Sequence, residues 1–179
     1  MKTLIEFALL IDRFNDRVAS VAKWSIAAAC AISAANAFVR YGFNFSSNAF
    51  LEIQWYLFAA CVMFGTSQVL RVNEHVRVDI LYNIYPTRGK VFVDIMGLSL
   101  FLMPMCLLII WLIMPLLIQQ FITGETSSNA GGLIRWPVTA TVPLGLGLLA
   151  LQGLSEIIKR VGWLQHKFEM DTHYERPLQ

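Results

Sequence analysis

Charge is what this sequence lacks most. Only 15% of its 179 residues are Asp, Glu, Lys or Arg, where a soluble domain usually carries about 25%. Histidine and cysteine are scarce too, at three each. His75, His166 and His173 fall outside the long apolar stretches. That excludes a four-helix cytochrome, whose iron ligands project from within the spans. Cys30, Cys61 and Cys106 each lie inside an apolar stretch with no CxxC, so neither a disulfide framework nor a quinone-linked thiol oxidase fits. No GxxxxGK[ST], HExxH or zinc-type Cys/His spacing occurs. The net charge of +2 is too small to point to a nucleic-acid partner.

What is present is apolar and grouped. The chain is 56% hydrophobic with a mean hydropathy of +0.57. Uncharged runs at Trp24–Val39, Ile53–Leu70, Ile95–Gly124 and Trp136–Ser155 together hold 84 residues, nearly half the chain. A helix needs about 20 mostly apolar residues to cross a bilayer core about 30 Å thick. The fold class expected is therefore an all-α integral membrane protein with four transmembrane helices, at about residues 21–41, 50–70, 91–115 and 138–158. Together they make a membrane domain over 21–160, preceded by an N-terminal segment (1–20) and followed by a cytoplasmic tail (161–179).

Lys and Arg are distributed 4, 1, 4, 1, 4 over the segments before, between and after the spans, with Arg40 and Arg135 the lone cations of the second and fourth groups. The positive-inside rule then puts both termini in the cytoplasm. The aromatics agree: Trp24, Tyr82, Tyr85 and Trp163 mark the cytoplasmic interface, and Tyr41, Trp55, Tyr56 and Trp136 the outer one. The third run is longer than a bilayer requires. Either Leu116–Phe121, after Pro115, leaves the membrane or runs along it, or the span is one long tilted helix kinked at Pro104.

Within Leu4–Val18, residues Leu4, Phe7, Ala8, Ile11, Phe14 and Val18 follow the spacing of one helical face, while Glu6, Asp12, Arg13, Asp16 and Arg17 fall mostly on the other. This suits an amphipathic helix in the headgroup layer. A helix packed on a partner, or a plain extension of the first span, suits it equally. A cleaved leader fits poorly, because acids and bases alternate over the first 23 residues.

No ionisable residue stands near the middle of a span; Glu52, Asp94 and Glu156 mark span ends. That argues against a proton-coupled exporter, which would bury a carboxylate. Arg40 and Glu52 are both expected near the outer surface, where they could pair. Two small-residue stripes, Ala27, Ala31, Ala35 in the first span and Gly147, Ala150, Gly153 in the fourth, permit close helix approach. The densest polar cluster, from Leu70 to Ile80, alternates His75, Arg77 and Asp79 with Val76, Val78 and Ile80. One histidine on a short loop makes a thin metal site; a cross-linked cytoplasmic turn is the better reading.

Glu52-Ile53-Gln54-Trp55-Tyr56-Leu57, then Gly65-Thr66, then His75-Val76-Arg77-Val78-Asp79 resembles the small membrane subunit of TRAP (tripartite ATP-independent periplasmic) transporters, the DctQ-like family. Pro143-Leu144-Gly145 at the opening of the fourth span fits as well, and the resemblance covers roughly residues 20–160. It implies a non-enzymatic role in a bacterial inner membrane, beside a large membrane subunit and a periplasmic substrate-binding protein. Such systems import organic acids or related solutes on an ion gradient, usually sodium. In the family the substrate and ion sites belong to the large elevator-type subunit, so no cofactor is expected in this chain. The small subunit serves as scaffold among membrane lipids, and its outer loops could touch the binding protein. The alternatives are a membrane anchor or assembly subunit of another complex, and a small homo-oligomeric exporter.

Overall fold

A computed structural model describes residues 2–45, 47–73 and 84–169. Among these, helix dominates. Helix α1 runs Lys2–Phe43, α2 Asn48–Arg71, α3 Thr87–Gly97, α4 Met103–Thr123 and α5 Trp136–Leu164. A π-helical turn, Leu98–Leu102, joins α3 to α4 without a break, so Thr87–Thr123 is one rod. Four helical segments (α1, α2, the rod and α5) are long and apolar enough to cross a membrane. His75, Arg77 and Asp79 lie outside the described residues.

Local chemistry explains where the helices begin and end. Ser47 caps α2, its Oγ accepting from the Ala49 amide at 3.3 Å, which satisfies one of the orphan donors of the first turn. Gly124 follows α4 with a left-handed φ of 61°, and Asn44, Asn73 and His166 take the same conformation after α1, α2 and α5. A left-handed residue after the last turn closes the helix carbonyls; Gly and Asn tolerate it best. The π turn also has a cause. Pro104 lacks an amide proton and its ring crowds the carbonyl four residues earlier. Widening the preceding turn relieves that clash, and the Met103 amide donates to the Leu98 carbonyl instead. The third run is one continuous helix that carries on through Pro115 to Thr123. At 1.5 Å per residue its 37 residues extend about 55 Å, so it tilts in, or projects beyond, a 30 Å core.

Contacts of Asp12 with Lys159, Asp16 with Arg71 and Asp94 with Arg160 put the starts of α1 and α3 and the ends of α2 and α5 at one end of the bundle, the termini end, and the 124–135 hairpin lies at the other. Helices α1, α2 and α5 pack against one another, and the rod packs chiefly on α5. The closest approach is at Gly145, where a Cβ would stand 2.6 Å from the Met63 carbonyl oxygen; only glycine lets α2 and α5 meet there. Gly153 faces the rod, with Leu102 Cδ2 at 2.8 Å from its would-be Cβ, whereas Gly147 has nothing within 4 Å. Ala150 is buried, but Ala27, Ala31 and Ala35 are all exposed. The span-four stripe is thus used within the chain at Ala150 and Gly153 but not at Gly147, and the span-one stripe is not used within the chain. Helix α1 meets its neighbours instead along Ser25, Ala29, Ile32, Asn36 and Val39, all half-buried.

Residues 4–18 do not form a separate helix; they are the first third of α1. Its buried residues are Ala8, Ile11, Asp12, Asn15, Ala19 and Ala22. Of the apolar row that the spacing picks out, Ala8 and Ile11 are buried, whereas Leu4, Phe7 and Phe14 are about half exposed.

Candidate functional site

Buried polar chemistry collects in two places, one at each end of the bundle. At the hairpin end, Glu52 is 4% exposed although it belongs to the first turns of α2. Its carboxylate accepts from Asn129 Nδ2 at 2.8 Å and from the Leu133 amide at 2.7 Å. The loop it holds is ordered by its own backbone: the Ser127 amide donates to the Leu133 carbonyl and the Arg135 amide to Glu125. Thr126 and Ile134 form an antiparallel bridge. Tyr56 Oη donates to the Ile134 carbonyl at 3.0 Å, and Asn48 Nδ2 to Ala130 at 3.3 Å. Residues 125–135 are therefore a hairpin seated on the start of α2. The pairing expected between Arg40 and Glu52 is not what forms: both Glu52 oxygens are taken by the hairpin, and Arg40 is exposed. Uncapped loop amides near a buried carboxylate offer it better geometry than a flexible surface cation.

At the termini end, ion pairs run through all four helical segments. Asp94 of α3 accepts from Arg160 Nε at 3.2 Å. Arg160 also bonds Glu156, and Lys159 Nζ bridges Glu156 and Asp12, the latter at 2.9 Å. Asp12 accepts further from Gln152 Nε2 at 2.8 Å and from Ser155 Oγ at 2.7 Å. Asn15 donates to Gln152 Oε1 at 2.8 Å and to the Leu148 carbonyl at 3.3 Å. Gln152, Asn15 and Ser155 are wholly buried. Arg71 of α2 adds a looser pair with Asp16 of α1 at 2.8 Å, with both side chains about one-third exposed. Alternating charge is what makes such burial tolerable, since each carboxylate finds a cation, and Asp12 and Glu156 find further donors. Spacing groups Asp12 with the charges on the polar side of its segment and gives Asn15 no special standing, whereas Gln152 and Ser155 are polar span residues of the kind that bond across helix contacts.

No group of three or more His, Cys, Asp or Glu positioned to hold a metal occurs among the described residues. Both clusters are clamps.

The chain matches the family model described as "Tripartite ATP-independent periplasmic transporters, DctQ component" over residues 29–162. The chain belongs to this family. No curated protein and no solved structure shows a match. This TRAP component therefore carries Glu52, Pro143, Gly145 and the α5 half of the termini-end cluster within the matched stretch, while Asp12 and Asn15 precede it. In the DctQ component, Glu52 seats the hairpin, Gly145 sets the α2–α5 approach, and Pro143 lies inside α5. A proline there forfeits one helical hydrogen bond, a loss that neighbouring helices make tolerable in a membrane.

Proposed function

We propose that this chain is the scaffold subunit of a TRAP-type importer, holding a large elevator-type subunit in a bacterial inner membrane. The importer takes up organic acids or related solutes on an ion gradient, usually of sodium, and the ion and substrate sites are on the large subunit. The observation that supports this most is where charge is buried. Glu52 lies at one end of the bundle and the Asp12–Glu156–Lys159–Arg160 group at the other. Between them no charged side chain is buried among the described residues, and ionisable groups at mid-depth are what mark ion and proton pathways through a membrane. Each buried charge is already engaged in tying helices together.

On this reading the termini end is cytoplasmic and the 124–135 hairpin faces the periplasm, where it and the 42–49 loop are offered to the substrate-binding protein. Arg13 and Arg17, exposed at the termini end, would meet anionic headgroups there. This chain supplies no cofactor site and does no chemistry of its own. The test is reconstitution. Purified with its large subunit in proteoliposomes, the complex should accumulate solute on an imposed ion gradient, and omission of this chain should abolish uptake. Uptake by this chain alone at the rate of the complex would overturn the proposal.

A further inference from the structure

We propose that the first twenty residues of α1 form a strap that docks last, latched onto α5 by the polar cluster. Before docking, the strap lies on the membrane surface by a second, apolar side.

Two observations carry this. First, the strap has little apolar grip. Its buried non-polar residues are Ala8, Ala19 and one larger residue, Ile11. What fixes it is hydrogen bonding, and every partner is far along the chain. Asn15 reaches residues 133 and 137 positions later; Asp12 reaches ones 140, 143 and 147 positions later. The Ala8 carbonyl meets Ser155 Oγ at 3.0 Å. Until α5 is in place, Asp12 and Asn15 have none of these partners, and an unpaired carboxylate does not enter a helix bundle.

Second, the strap has somewhere else to be. Phe7, Leu10 and Phe14 are 47%, 62% and 53% exposed in the docked chain. At 100° per residue they form a row roughly 120° around the helix from the buried one. Exposed Glu6, Arg13 and Arg17 flank that row. An apolar row bordered by basic residues binds a lipid surface. The same 20 residues therefore encode a surface helix and a docked strap, and the Asp12–Lys159 contact selects between them.

The experiment uses the full-length chain in native membranes, with Cys30, Cys61 and Cys106 replaced by Ser. One thiol pair, Ile5→Cys with Gly162→Cys, reports the docked strap, since Ile5 Cδ1 lies 3.5 Å from a Cβ at position 162. A second pair, Asn48→Cys with Ala130→Cys, reports the opposite end of the bundle. In Lys159→Gln, and in the milder Asp12→Asn, a short thiol cross-linker should give a yield about tenfold or more lower at 5/162. The yield at 48/130 should stay unchanged, and a spin label at position 10 should stay accessible to a lipid-borne relaxer. Unchanged 5/162 yield would show that apolar contacts hold the strap, and would overturn the proposal. So would parallel loss of both pairs, which would make the cluster part of the whole fold. A label at position 10 reached only by aqueous relaxer would overturn the surface-bound state.

Discussion

Three glycines of α5 present the same substitution to three different surroundings, so the Gly→Ala series at 145, 147 and 153 measures helix contact with the propensity term held constant. In a helix interior, Ala is favoured over Gly by about 1 kcal/mol. Gly147 has nothing within 4 Å of its would-be Cβ, so Gly147→Ala should gain up to about that amount. At Gly153 the nearest atom is the Leu102 Cδ2 methyl, at 2.8 Å. A leucine tip can rotate away, so the added methyl should roughly cancel the propensity gain. At Gly145 the obstacles are the Met63 carbonyl oxygen, Cβ and carbonyl carbon, at 2.6, 2.7 and 2.8 Å. Most of these are backbone, held by the hydrogen bonds of α2, and cannot step aside unless the two helices separate. Overpacking of this kind costs about 1–3 kcal/mol. Thermal unfolding of the purified chain in one detergent, with the three variants in parallel, should rank them 147 above 153 above 145. The gap between the extremes should be about 1–3 kcal/mol, the steric term alone, since the propensity gain is common to all three. If Gly145→Ala proved as stable as Gly147→Ala, the α2–α5 contact described above would be wrong.

The remaining expectations concern the two clamps. Glu52→Gln replaces one acceptor by a donor facing either the Leu133 amide or Asn129 Nδ2; hydrogen exchange at the Leu133 amide should accelerate about tenfold or more, because a donor is left unmatched. Arg135→Ala removes an ion pair to Glu125 whose side chains are 52% and 37% exposed, and the same amide should exchange within about twofold of the parent rate. Asp16→Asn breaks a pair with Arg71 whose side chains are about one-third exposed and should change the unfolding free energy by no more than about 1 kcal/mol. It should leave the 5/162 cross-link intact, although Asp16 is only four residues from Asp12.

The four spans were legible because a charge-free run of this length has few other uses, and the family resemblance rested on Glu52–Leu57, Gly65-Thr66 and His75–Asp79 with Pro143–Gly145 beside them, of which His75–Asp79 lie outside the described residues. The helix ends were less legible. Apolar runs mark where lipid is met, whereas helices continue until a cap or a left-handed residue stops them, as at Asn44 and Gly124. The partner of Glu52 was out of reach for a plainer reason. One of its two donors is a backbone amide, which any residue possesses, so no side-chain pattern announces it.

The burial of Asp12 has a more instructive origin. Spacing groups the large apolar side chains of residues 4–18 on a side suited to lipid and leaves Asp12 among the charges of the other. In a membrane protein lipid does accept Phe7, Leu10 and Phe14 as readily as a neighbouring helix does. What helix contacts there select is small size and hydrogen-bonding capacity. Sorted that way, Ala8, Asp12, Asn15, Ala19, Ala22, Ser25, Ala29, Ile32, Asn36 and Val39 recur at steps of three and four along the whole of α1. Such steps are the signature of a seam between helices crossing at a shallow angle. All ten are buried or half-buried. The signal was present in the sequence from the eighth residue onward. Asp12 and Asn15 are members of the seam rather than breaks in it, because α5 answers them with Gln152, Ser155 and Lys159 at the same three- and four-residue steps.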